Sequence, residues 1–133
     1  MRAFNYYSLT SILFLILSCG TSTSQSAHEV LSVSDFEKKI EESENAVLID
    51  VRTDPEVAKG ILPGAIQIDY KSSSFRNELN SLDKSKTYFV YCAVGGRSGR
   101  TLNLMKELGF NTVYDLAGGM TAWKKSGKEV VIP

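Results

Sequence analysis

One stretch constrains this chain more than any other: Tyr88-Phe89-Val90-Tyr91-Cys92-Ala93-Val94-Gly95-Gly96-Arg97-Ser98-Gly99-Arg100. A β-rich run ends on a cysteine, a short glycine-bearing loop follows, and a helix-forming segment begins at Arg100. A fold that accommodates this order hands a strand over to a helix through a tight loop. The thiol then lies in a cup of backbone N–H groups at the positive end of a helix, where a thiolate, or an anion bound to it, is stabilised. Such a cysteine is a nucleophile that needs no histidine base, and the chain has a single histidine, His28.

The pattern around this stretch alternates short apolar runs with helical segments. Strands are expected at Val30–Val33, Ala46–Val51, Ala65–Ile68, Thr87–Tyr91 and Thr112–Tyr114. Helices are expected at Asp35–Glu42, with Ser34 as N-cap and Glu37 completing a capping box, and at Ser72–Leu82, Arg100–Leu108 and Gly119–Lys125. Asp54–Lys59 reads as a short helical turn and Glu129–Ile132 as a tail. Strands separated by helices predict an α/β fold with a mostly parallel central sheet covered on both faces. Ligands in such folds lie outside the carboxyl ends of the strands. Cys92 follows directly from such an end.

The first residues read differently. After Arg2, Leu9–Leu17 is an apolar core of about nine residues, far short of the roughly 20 that span a bilayer. It stops at Ile16-Leu17-Ser18-Cys19-Gly20, which resembles a bacterial lipobox. That resemblance implies that residues 1–18 are a lipoprotein signal peptide and that Cys19 is lipidated, placing the protein outside the cytoplasm on a bacterial membrane. The Ser/Thr-rich segment after it, through His28, reads as a flexible tether, with His28 solvated and the folded domain spanning 29–133. Fifteen basic side chains balance fifteen acidic ones. Nothing in that balance points to nucleic acid, and any anion site must be local.

Three motifs are similar to those of the rhodanese family. Leu48-Ile49-Asp50-Val51-Arg52-Thr53-Asp54-Pro55-Glu56, with Gly60-Ile61-Leu62-Pro63-Gly64-Ala65 after it, resembles the family's D-V-R-x-x-x-E and G-H-I-P-G-A signature, with Ile61 in place of the histidine. Cys92 to Ser98 matches C-x-x-G-x-R-S, and Leu116-Ala117-Gly118-Gly119-Met120-Thr121-Ala122-Trp123 matches L-x-G-G-x-x-x-W. The resemblance implies a rhodanese-like fold and a sulfurtransferase that moves sulfane sulfur from thiosulfate or a persulfide to a thiol, cyanide or a protein acceptor. Cys92 would carry the sulfur as a persulfide. The N–H groups of Ala93, Val94, Gly95, Gly96, Arg97 and Ser98 would cradle it. No metal or organic cofactor is implied.

Several residues admit plainer roles. Arg97 can meet an anionic donor, fix the loop, or pair with a structural carboxylate. Ser98 reads as the helix N-cap. Asp50 can satisfy backbone amides at its strand end, and Arg52 and Glu56 can pair across a turn, with Arg52 a candidate border of the active pocket. Two other functions compete. Cysteine phosphatases and arsenate reductases also close a cysteine loop with arginine, but six residues after the cysteine, whereas Arg97 is five after Cys92. A non-catalytic binding or redox-sensing module would present the same loop to a partner.

Overall fold

The structure, a computed structural model, describes residues 25–133. The leader, the lipidation of Cys19 and most of the tether lie outside the described residues. Five strands, β1 (Ala27–Leu31), β2 (Ala46–Asp50), β3 (Ile66–Gln67), β4 (Thr87–Tyr91) and β5 (Thr112–Leu116), form one sheet in the order β1-β5-β4-β2-β3, every pairing parallel. The helices are α1 (Val33–Glu42), α2 (Asp54–Val57), α3 (Phe75–Asn80), α4 (Gly96–Glu107) and α5 (Gly119–Lys125).

Strand β4 is central and shows how the two faces are made. Side chains alternate along a strand. Tyr88, Val90 and Cys92 enter one core with Phe75 and Leu79 of α3 and Leu102 and Met105 of α4. Phe89 and Tyr91 enter the other with Phe36 of α1 and Met120 and Trp123 of α5. A strand buried on both faces has no use for polar alternation, which is why its sequence is a continuous apolar run. Edge-to-face ring pairs, Tyr88 with Phe110 and Phe36 with Phe89, lock the two layers.

Several boundaries differ from the sequence expectation, those of β1, α1 and α4 with the largest consequences. Strand β1 runs Ala27–Leu31 because it pairs with β5 along its whole length, drawing in residues assigned to the tether. His28 is therefore half-buried, its Nε2 donating to the Phe110 carbonyl at 2.8 Å rather than standing in solvent. The chain then turns at Ser32, which replaces Ser34 as N-cap and accepts from the Asp35 amide at 3.2 Å. That earlier start puts Phe36 in the core. Helix α4 begins at Gly96 instead of Arg100, for a reason set by the site.

Candidate active site

Cys92 is the first residue beyond β4, at the carboxyl end of the sheet's centre. The loop after it is three residues, Ala93 to Gly95, before α4 starts. Gly95 takes φ +105°, a left-handed conformation open to glycine, and this aims its N–H at Cys92 Sγ, 3.1 Å away. Ser98 is fully buried inside the first turn rather than capping it, and its hydroxyl donates to the same sulfur at 3.4 Å. Burial pushes the Cys92 thiol up, but the Ser98 hydroxyl and the amides of Ser98, Gly95 and Val94 outweigh it and leave the thiol below its ordinary value. The sulfur is thus a better thiolate than a free cysteine, with the Gly95 amide and the Ser98 hydroxyl on it and no histidine.

The loop amides point inward because its carbonyls are held elsewhere. The first turn of α5 donates from Met120 to the Cys92 carbonyl at 2.8 Å and from Thr121 to the Ala93 carbonyl at 3.1 Å. This explains the glycine that opens α5. A Cβ on Gly119, at φ +53°, would collide with the Cys92 carbonyl and lie 2.9 Å from the Ala93 carbonyl carbon and oxygen.

A second brace comes from α2. Arg97, in the first turn of α4, makes a two-pronged ion pair with Glu56, at 2.8 Å and 2.6 Å. Glu56 also accepts from the Thr53 amide and hydroxyl, closing a capping box at the start of α2. The Arg97 guanidinium, with Thr53 helping, holds the Glu56 carboxyl well below the usual carboxylate range. Arg97 therefore braces the loop, and the other cup residues, Ala93, Val94, Gly95, Gly96 and Ser98, carry no charge.

Arg52 does not pair with the Glu56 carboxylate. It is 4% exposed, binds both oxygens of Asp50, and donates to the Gly60 carbonyl at 2.7 Å. Its only tie to Glu56 is the backbone carbonyl, at 3.4 Å. Asp50 accepts the Arg52 amide, as a strand-end carboxylate is expected to. The pair is a buried strut that fixes the turn from which Glu56 reaches Arg97.

Sequence reasoning missed two things. The Glu56–Arg97 pair joins residues 41 apart, so no local spacing reveals it. Asp115 is 2% exposed on β5, on the same face as Cys92, with Ser98 as its side-chain neighbour. The available signal was an acidic residue inside an otherwise apolar strand end.

The family model for the rhodanese-like domain matches residues 32–126. Among curated proteins, YtwF of Bacillus subtilis, whose sulfurtransferase name is provisional, is 39% identical over 98 residues, covering 74% of this chain and 92% of that protein. A protein of Allochromatium vinosum named sulfurtransferase is 29% identical over 96 residues, covering 72% of this chain and 88% of its own. The crystal structure of a rhodanese-related protein from Thermoplasma volcanium superposes with a TM-score of 0.69 at 28% identity, covering 79% of this chain and 99% of that one.

Proposed function

Because the chain belongs to the rhodanese-like domain family, we propose that it is a sulfurtransferase that carries sulfane sulfur on Cys92. The observation that carries this reading is the Cys92 sulfur receiving the Gly95 amide at 3.1 Å and the Ser98 hydroxyl at 3.4 Å. The Cys92 thiolate attacks the outer sulfur of the donor, thiosulfate or a persulfide. The new S–S bond forms as the donor's own bond breaks, and sulfite or a thiolate leaves with the electron pair. A thiol, cyanide or the thiol of a protein acceptor then attacks the outer sulfur of the persulfide, and Cys92 leaves as the thiolate that began the cycle. Nothing is oxidised overall, and the persulfide's negative charge falls on the outer sulfur, within reach of the loop amides.

The lipobox-like segment supports the finer reading that this chemistry takes place outside the cytoplasm, on a domain tethered through a lipidated Cys19. Cys19→Ala should then remove the lipid mass and release the protein from the membrane fraction.

The decisive experiment offers thiosulfate and cyanide and measures thiocyanate, with the intact mass read after donor alone. A gain of one sulfur atom on Cys92 is expected. Cys92→Ser should abolish both signals while leaving the circular dichroism spectrum unchanged; retention of either would sink the assignment. Release of phosphate from an aryl phosphate would instead support a phosphatase. The uncharged cup, its arginine bound to Glu56, argues against that outcome.

A further inference from the structure

Behind the Cys92 loop lies a carboxyl group that sulfur transfer, as written above, does not use. Asp115 is 2% exposed, and its Oδ1 has no hydrogen-bond partner among the described residues. It stands in register with Val90 of β4. Residues two apart on a strand share a face, so Asp115 lies beside Val90 and one diagonal step from Cys92, on the side covered by α4. From α4, the Ser98 side chain neighbours the Asp115 carboxyl, and a methyl group on Gly99 would sit 3.5 Å from Oδ2. The same Ser98 hydroxyl is 3.4 Å from Cys92 Sγ and 3.4 Å from the Gly95 carbonyl oxygen.

Ser98 has one hydroxyl proton to give. Aimed at the sulfur, it stabilises the thiolate. Aimed at a carboxylate, it leaves the sulfur one donor short. A neutral carboxyl group removes the conflict, because it can donate to Ser98 Oγ and free the serine proton for the sulfur. We propose that Asp115 is a positioning residue that sets the ionisation of Cys92 through Ser98: as a neutral acid it turns the hydroxyl onto the sulfur, and as a carboxylate it takes the hydroxyl away. This rests on Cys92 being the sulfur-carrying nucleophile.

Burial pushes the Asp115 carboxyl up to about 6, against the Ser98 hydroxyl and the Leu116 amide. The change of state thus falls in mildly acidic to neutral solution. The groups around Asp115 are few. Helix α4 presents Ser98 and Gly99, while Arg97 is bound to Glu56 and Arg100 is exposed. Strand β4 presents Val90 and the thiol itself. Strand β1 presents Val30 in register and, two residues earlier on the same face, His28, whose Nε2 donates to the Phe110 carbonyl. Asp115 joins none of the ion pairs among the described residues.

The test is the rate of Cys92 alkylation by iodoacetamide across the pH range, read on the Cys92 peptide by mass spectrometry so that Cys19 does not contribute. Wild type should show two inflections, one belonging to Asp115 and one to the thiol. Asp115→Asn, which mimics the neutral acid, should show one, with the thiol midpoint lower by roughly a unit. His28 is present in both proteins, so its contribution cancels in the comparison. Ser98→Ala should erase the acidic inflection by itself, and adding Asp115→Asn to it should change little. Coincident profiles for wild type and Asp115→Asn, with Cys92 reactive, would overturn the proposal and leave the sulfurtransferase reading standing. So would an acidic inflection that survives Ser98→Ala. A wild-type Cys92 unreactive at every pH would overturn both.

Discussion

Gly95 decides where the first loop amide points. A methyl group there meets nothing closer than the Gly118 nitrogen at 3.6 Å, so space is not the obstacle. The obstacle is φ +105°, which an L-residue adopts at a cost of about 1–3 kcal/mol. Gly95→Ala can relieve that strain by turning its peptide, and the turn removes the 3.1 Å bond to the sulfur. The expected result is a thiol that titrates higher and transfers sulfur more slowly in a protein that still folds, checked by the alkylation profile and circular dichroism. An unchanged titration would show that this amide contributes little. Arg97 makes the opposite kind of case. With both prongs on Glu56 it is held as a brace of the loop. Arg97→Ala should therefore slow transfer from thiosulfate and from a neutral polysulfide to the same degree. A loss confined to the anionic donor would restore a substrate-binding role.

Between elements, the site is a joint clamped from two sides: α5 holds the loop's carbonyls and α2 holds its arginine. Gly119→Ala forces a methyl group into backbone atoms of Cys92 and Ala93 that cannot rotate away. It should lower stability by about 1–3 kcal/mol in denaturant titration and spoil the cup as well. Only part of this joint was legible in the chain. Cys92, the glycines and the helix that follows announce themselves because strand, turn and helix signals are local. The start of α4 was misplaced because Gly96, Ser98 and Gly99 are poor helix formers; the pull of amides and hydroxyl toward the sulfur overrides that preference. Ser34 with Glu37 satisfied the capping pattern as well as Ser32 with Asp35 does. Only the pairing of β1 with β5 chooses between them. The partner of Arg52 is no more legible, since Asp50 lies two residues back at the end of a buried strand and Glu56 four ahead across a turn, and only the fold chooses between them.

For the molecule as a whole, the parallel sheet and its two covered faces follow from apolar runs alternating with helices. Its response to acid does not, because that depends on carboxyl groups shifted in opposite directions, Glu56 and Asp115 the most buried of them. Glu56 is depressed by Arg97, so its contribution to stability is complete above its unfolded value, 4.5, and is lost as pH falls below it. Asp115 is raised from 3.8 to about 6 by burial. Between those values the native state holds more protons than the unfolded chain, so stability falls as pH rises through the window and stays lower above it. Together the two groups place a stability maximum near pH 4–4.5, followed by a decline to about pH 6. Asp115→Asn removes the decline while keeping the acid limb. Its stability relative to wild type should therefore grow between pH 4 and 6 and then level off, at a gain of about 1–3 kcal/mol from a shift of roughly two units. Denaturant midpoints across that range measure it. A difference that does not change with pH would mean that Asp115 is ionised throughout, its charge met by water or by a rearranged Ser98.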